Sequence, residues 1–333
     1  MKFHKQCVGI DISKDKFDCC LSVSDENGLI RILGEKHFKN NLDGFNQLID
    51  WITQKQVSAI EVVIVMEATG VYYENLSYFL CDHTQFKVCV LLPMRAKYYF
   101  KSLELKTKTD KVDAKMLSQL GLERVIKRWQ PMSSKMKTIK SLSREYRDNK
   151  KEINRLKNQL HAKLHSYKIS PQIIKRLKQK IDLVEDHCLA IELELKALVR
   201  QDAYLGDKIE KLVSIPGIRF MSVIAIIAET NGFILIRNAK QLTSYAGLDI
   251  VHNNSGNKTG KSRISKRGNK YIRQALYMPA LSASQHINHL NKFYQRINEK
   301  NKCKKIGLVG VSRKLLILVY TLWKNDEYYR ITA

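Results

Sequence analysis

Short apolar blocks dominate the first third of the chain, and apolar residues spaced three and four apart dominate the rest. Residues 7–12 and 17–23 read as the arms of a hairpin turned at Ser13-Lys14-Asp15, with a third strand over 29–38. Leu42, Phe45, Leu48, Ile49 and Ile52 then recur at helical spacing. Residues 60–66 are β-branched and nearly unbroken, as in a strand covered on both faces, and Glu67-Ala68-Thr69-Gly70 closes them. A helix over 72–81 and a strand over 88–92, stopped at Pro93, follow. A short helix from Arg95 leads to Lys108-Thr109-Asp110-Lys111-Val112-Asp113. These elements predict a mixed α/β domain over residues 1–128.

The period then changes. Ile139, Leu142, Tyr146, Ile153, Leu156, Leu160 and Leu164 form a heptad seam in which Asn149 fills one core position. Ser170-Pro171 interrupts it, and a second seam runs through Ile174, Leu177, Ile181, Val184, Cys188, Ile191, Leu195 and Leu198. Two such helices joined at a proline predict an antiparallel coiled-coil arm over 129–206. The same seam fits an ordinary helix pair, and it leaves open whether the partner is the same chain or another subunit. Residues 207–333 form a mainly helical third region. It opens with Ile215-Pro216-Gly217 between two helices, like a helix-hairpin-helix, in which turn amides meet a phosphate; a plain helix pair reads equally well. A polar loop through residues 252–261 follows, then a helix from Tyr271 to Pro279 and a last apolar helix over 306–323 with basic residues inside it.

Charge narrows the choice of partner. Lys plus Arg number 58 against 32 Asp plus Glu in 333 residues, a net charge of +26 spread from end to end. Such a field draws polyanions and speeds their association. The cysteine count is odd, with no CxxC, and several cysteines lie in apolar runs, which predicts reduced, buried thiols and no disulfide framework. No secretory h-region follows Met1, and no uninterrupted run of eighteen apolar residues occurs, so a cytoplasmic protein without a membrane partner is expected.

Two clusters carry candidate chemistry. Asp110 and Asp113, three residues apart at a helix start, share one face of that helix. Asp11 in the first strand and Glu67 at a strand end supply two more hard oxygen donors, and like charges held close are relieved by a bound cation. The combination predicts a Mg²⁺-dependent nuclease-like centre. Taken singly, Asp110 reads as a helix cap and Asp113 as a surface ion-pair partner. Asp15 and Asp18 are nearby competitors, expected in the turn and on the solvated face. The second cluster is Ser255-Gly256, ringed by Lys258, Lys261, Arg263, Lys266, Arg267, Lys270 and Arg273. Those cations suit phosphate contact, as do Lys108 and Lys111 beside the acidic pair. A serine nucleophile needs something to accept its proton, for which His252 is one candidate.

On these residues the chain resembles the transposases of the IS110 and IS1111 insertion-sequence group. Gly9-Ile10-Asp11, Glu67-Ala68-Thr69-Gly70 and Lys108-Thr109-Asp110-Lys111-Val112-Asp113 resemble that group's acidic tetrad. Ile215-Pro216-Gly217, Tyr245-Ala246-Gly247-Leu248 and Ser255-Gly256 with Ile264-Ser265-Lys266-Arg267-Gly268-Asn269 resemble its second catalytic domain. The resemblance implies a RuvC-like α/β domain of the ribonuclease H superfamily, with Asp11, Glu67, Asp110 and Asp113 as Mg²⁺ ligands. It implies Ser255 as nucleophile, with Ser244 and Ser262 as weaker candidates. It further implies donor and target DNA and a structured non-coding guide RNA as partners, and a homo-oligomer built as a dimer of dimers. A junction-resolving endonuclease using water, and a non-enzymatic nucleic-acid scaffold, are the alternatives.

Overall fold

The computed structural model describes residues 3–104, 109–234, 236–251, 254–255, 258–259 and 263–330, the two dipeptides by their backbone alone. The chain divides into two compact units, one ending at Pro131 and one beginning at Met132.

In the first unit β1 (Phe3–Ile12), β2 (Lys16–Asp25) and β3 (Ile30–Lys39) form an antiparallel meander. Helix α1 (Leu42–Lys55) follows, capped by Asn41, whose side chain accepts from Gly44 N. It carries the chain to β4 (Val62–Glu67), which lies parallel to β1. After α2 (Tyr73–His83), β5 (Lys87–Leu91) adds parallel to β4, giving a five-stranded sheet of order β3-β2-β1-β4-β5. Helices α3 (Pro93–Ser102) and α4 (Asp110–Glu123) complete the unit. This is the expected mixed α/β architecture, with strand ends within two residues of the sequence reading at most positions.

Strand alternation sorts the side chains of β1 and β4 onto two faces. Val8, Ile10, Val62, Ile64 and Met66 enter one core with Leu48, Ile52, Leu76 and Leu80 of α1 and α2. Cys7 and Val65 enter the other with Leu117 and Leu120 of α4. Asp11 and Glu67 follow the second set in register, so both fall on the face that α4 covers. Gly9 permits the close approach of that helix. A Cβ there would stand 2.0 Å from the Ala114 carbonyl oxygen and 2.2 Å from Ser118 N. Ser118 Oγ also donates to the Cys7 carbonyl at 3.3 Å, pinning helix to strand.

The second unit is largely helical. α5 (Ser134–Leu164) and α6 (Pro171–Arg200) pair with each other. Ile139, Ile153 and Leu156 are buried on α5, and Ile181, Cys188, Ile191 and Leu195 on α6, all of them seam positions of the sequence pattern. Lys157 meets Glu185 across the pair at 2.7 Å. α7 (Ala203–Val213) and α8 (Phe220–Thr230) flank the turn at Gly217, whose φ of +85° is a glycine conformation. α9 (Ala239–Tyr245), β6 (Ile250–Val251), β7 (Asn254–Ser255), β8 (Lys258–Thr259) and β9 (Arg263–Ile264) precede α10 (Lys270–His286), α11 (Asn288–Glu299) and α12 (Lys304–Asn325).

One reading of this unit changes. α10 does not stop at Pro279 but continues to His286. Pro279, Ala280 and Ala283 are buried in the core with Leu276, and that packing outweighs the hydrogen bond a proline removes. α12 is long and apolar enough to cross a membrane by length and composition. Arg313 and Lys314 had broken its apolar run in the sequence. Its Val311, Leu315, Leu316 and Val319 are fully buried in the core of the unit, where the helix spends its apolar face. Cys7, Cys19, Cys20, Cys89 and Cys188 are buried free thiols.

Candidate active site

The carboxylates of the first unit gather where β1 and β4 end beside the start of α4. The parallel register pairs Ile10 with Met66, so Asp11 and Glu67 each stand one residue further along adjacent strands. Thr109 caps α4: its Oγ1 accepts from Val112 N at 3.3 Å and its carbonyl from Asp113 N at 2.9 Å. Asp110 and Asp113 therefore occupy the first helical turn, where the helix dipole favours negative charge. Thr69 Oγ1 donates to Glu67 Oε1 at 3.2 Å.

Asp11 registers the crowding. Burial pushes its carboxyl up, and the charges of Asp113, Asp110, Glu67 and Asp18 push it further, to about 7. All four predicted acids thus share one electrostatic neighbourhood, with a fifth beside them. Asp18 is not on a solvated face. It is only 5% exposed and lies directly across the hairpin from Asp11. The signal for it was in the hairpin: closing the turn at Ser13-Lys14-Asp15 pairs Ile12 with Phe17 and so Asp11 with Asp18. Lys16, also unread in the sequence, bridges Asp18 Oδ2 and Asp110 Oδ2, each at 3.2 Å. Asp15 is exposed, in the turn as expected. Lys111 is exposed on α4 and lines a small cavity with Asp18, Cys19, Glu35, Lys36 and His37.

The donor set suits a hard divalent cation: carboxylate oxygens from three backbone elements, whose mutual repulsion such an ion would relieve. Among the described residues no three His, Cys, Asp or Glu side chains are drawn together closely enough to form a ready-made ion site. The acids converge without closing into a coordination shell.

The serine cluster rests on a different scaffold. Ser255 is on β7, opposite Lys258 of β8, and the flanking β6 and β9 pair Ile250 with Ile264 and Val251 with Arg263. The side chains of Ser255 and Lys258, and all of Lys108, His252, Lys261 and Ser262, lie outside the described residues. Arg263, Lys266, Arg267 and Lys270 are exposed, while Arg273 is engaged with the backbone. Its Nη1 donates to the Ala246 carbonyl at 2.7 Å and to that of Gly268 at 3.2 Å. Ser244 is exposed in the last turn of α9.

Comparison with known proteins places the chain. Residues 8–169 match the DEDD transposase model of IS110 elements, and residues 209–295 match the transposase model of the IS116/IS110/IS902 family. The chain belongs to the IS110/IS1111 family of transposases. A pilin gene-inverting protein of Moraxella bovis is 29% identical over 325 residues, 97% of each chain. The transposase for insertion sequence element IS1111A of Coxiella burnetii is 22% identical over 357 residues, covering 98% of this chain and 92% of the relative. Among solved structures, RuvC of Thermus thermophilus overlays on 37% of this chain and 99% of its own, at 11% identity and a TM-score of 0.30.

Proposed function

We propose that this IS110/IS1111 transposase is a site-specific DNA recombinase that joins a serine to a DNA phosphate, assisted by Mg²⁺ at a RuvC-like carboxylate site. The observation that carries the reading is the gathering of Asp11 and Glu67, at the ends of adjacent parallel strands, with Asp110 and Asp113 of the first turn of α4, whose mutual repulsion raises the Asp11 carboxyl. A site built only for stability would not leave that repulsion standing.

Asp11, Glu67, Asp110 and Asp113 would hold the ion. When bound, Mg²⁺ supplies neutralisation of charge developing on phosphate oxygens. The remaining roles fall to the chain. The Ser255 hydroxyl oxygen bonds to phosphorus as the bond from phosphorus to the 3′-oxygen breaks, and the serine proton ends on the released 3′-hydroxyl. The phosphate ester link is conserved, so a different 3′-hydroxyl can reverse the step and rejoin a new strand. Arg263, Lys266, Arg267 and Lys270, exposed beside β9, would pair with the DNA backbone, with Lys258 and Lys261 from the same segment and Lys108 and Lys111 beside the acids. Arg273 holds the scaffold. The net charge of +26 accommodates DNA together with a structured guide RNA, and the α5–α6 pair would serve as the oligomerisation arm of a dimer of dimers.

The test is trapping. Protein with co-expressed flanking RNA is incubated with supercoiled DNA carrying the element's ends and Mg²⁺. A covalent adduct on Ser255, lost in Ser255→Ala, is expected. Cutting that persists in Ser255→Ala without adduct would instead identify a hydrolase using water. Nucleic-acid binding with no cleavage, unchanged by Asp11→Asn, would identify a scaffold. A second reading concerns outcome and not chemistry. The full-length similarity to gene-inverting proteins of Moraxella favours inversion of a flanking segment as a product of the same strand exchange. Amplifying inversion and excision junctions from one reaction separates the two.

A further inference from the structure

The two ends of the segment that carries Ser255 meet at a polar junction that the proposed chemistry has not used. Gly247 and Gly268 lie back to back there. A Cβ on Gly268 would stand 2.4 Å from Gly247 N and 2.5 Å from the Tyr245 carbonyl oxygen, while Gly247 itself has a φ of +68°. Ser265 N donates to the Asp249 carbonyl at 2.9 Å, Lys266 N to that of Gly247 at 3.1 Å, and Asn269 N to that of Tyr245 at 2.8 Å. Ser265 Oγ donates to Asp249 Oδ1 at 2.5 Å. Residues 245–251 and 263–269 are thereby laced together at the base of β7 and β8.

Behind the lacing stands Glu229, near the C-terminal end of α8, its side chain 2% exposed. Arg144 of α5 grips both carboxylate oxygens, Nε donating to Oε1 at 2.6 Å and Nη2 to Oε2 at 3.0 Å. Asn269 Nδ2 donates to Oε2 at 2.7 Å, and the Tyr245 hydroxyl donates to the Glu229 carbonyl at 2.7 Å. Asn269 Oδ1 turns the other way and caps α10, accepting from Tyr271 N at 2.9 Å and Ile272 N at 3.3 Å. Arg144 and Arg147 stack on the Tyr271 ring at 4.2 and 3.9 Å from its centroid. Arg147 Nη1 also donates to Gln274 Oε1 at 2.9 Å.

We propose that Asn269, fixed by Glu229 and through it by Arg144 of the arm, is a positioning residue for the serine step: it holds together the two segments, 245–251 and 263–269, between which the chain carries Ser255. The inference rests on the serine reading above. Its physical basis is separate. A buried ion pair is weak evidence for stability, since apolar side chains of similar size do as well, but it specifies one geometry. The partners of Glu229 come from three places in the chain: Arg144 and Lys140 from α5, Tyr245 from α9, and Asn269 from the residue before α10. Their common fixed point lies where both strands leading to and from the serine are anchored. A displacement of about 1 Å at a reacting group can cost on the order of a hundredfold in rate.

The test uses the full chain with its flanking RNA and supercoiled DNA carrying the element's ends. Asn269→Asp keeps the acceptor that caps α10 but removes the donor to Glu229 and sets two carboxylates face to face. Asn269→Ala removes both. Single-turnover adduct formation at saturating DNA should fall by about tenfold or more in both variants. DNA affinity should stay within about twofold. Amide exchange at residues 245–251 and 263–269 should rise by about tenfold, with exchange in α12 unchanged. Glu229→Gln combined with Asn269→Asp, which exchanges donor and acceptor across the same contact, should restore much of the rate that Asn269→Asp alone loses, and Glu229→Gln should not rescue Asn269→Ala. Faster exchange with an unchanged adduct rate would overturn the positioning role, as would unchanged exchange at residues 245–251 and 263–269. Ser255→Ala separates the two hypotheses: an adduct that survives it sinks the serine reading, while the exchange data still decide whether Asn269 fixes those two segments.

Discussion

Asp11 is half-buried and Glu229 buried, and their surroundings drive them in opposite directions. Around Asp11 burial and four neighbouring carboxylates all act the same way, lifting it to about 7. At Glu229 burial also pushes up, but hydrogen bonds from Arg144 and Asn269, with the charges of Arg144 and Lys140, outweigh it and hold the carboxyl below its usual range. One acid is left in want of a cation, and the other has been supplied with one by the fold. On the proposed function, the contrast separates a residue kept for chemistry from one kept for geometry.

Removing the charge of Asp11 should have the largest effect and two opposite signs. Asp11→Asn should lower Mg²⁺-dependent cleavage by roughly two to three orders of magnitude, the scale of losing one preorganised electrostatic group. The same change should stabilise the first unit in metal-free buffer at pH 8. The sign follows from linkage. The folded pKa of about 7 lies above the ordinary 3.8, so the folded state holds the proton more tightly. That contribution is complete below about pH 4 and is lost as pH rises through 7. Thermal unfolding of wild type in EDTA should therefore fall between pH 5 and 8, and Asp11→Asn should flatten the slope. An unchanged slope would show that Asp11 does not titrate in this window.

Gly9→Ala addresses the packing that brings α4 to Asp11. The added carbon would meet backbone atoms of Ala114 and Ser118 that have no flexible end to yield. A loss of about 3 kcal/mol or more is expected, at the upper end for overpacking, and calorimetry of the first unit's transition checks it. Glu229→Ala should cost somewhat less. It strands the Arg144 guanidinium, whose own 40% exposure lets water take up part of the charge. About 2 kcal/mol is reasonable once that screening is allowed for. Glu229→Gln, which keeps the shape, should cost about half as much.

How far each region could be read from the sequence follows from the range of its interactions. The four acids at strand ends and a helix start were legible because local patterns fix those positions: β-branched runs, a Thr109 cap, a period of two. Asp18 was missed because β2 is covered on both faces, so a position that simple alternation assigns to a solvated face is buried as well. Glu229 gave no signal, and Asn269 entered only as the end of a motif, with no role attached. They lie 40 residues apart, and Arg144 lies 85 from Glu229, so no window of the sequence contains their relationship. Pro279 misled for the same reason, since its local rule gave way to burial. Heptad spacing identified the pairing face of the arm, yet its seam position Leu164, at the far end of α5, is exposed, and spacing alone could not distinguish it from the buried ones.

The finest test of the contrast is Lys16, the cation that the first unit does supply to its acids. Lys16 reaches Asp18 and Asp110, and hydrogen bonds to those two carboxylates raise its own pKa. It is an exposed side chain, so water screens most of its charge and its removal should do little to folding. Lys16→Met should nonetheless leave Asp18 and Asp110 less compensated, and their added repulsion should lift Asp11 by a few tenths of a pH unit. Carbon-detected titration of labelled aspartates would read that shift directly. If the acids act together as an ion site, the same variant should gain more thermal stability from added Mg²⁺ than wild type does, because the ion then replaces a cation the protein has lost. An equal gain in both proteins would mean that Lys16 and the ion serve separate carboxylates, and that Asp110 belongs with the surface of α4 and not with Asp11.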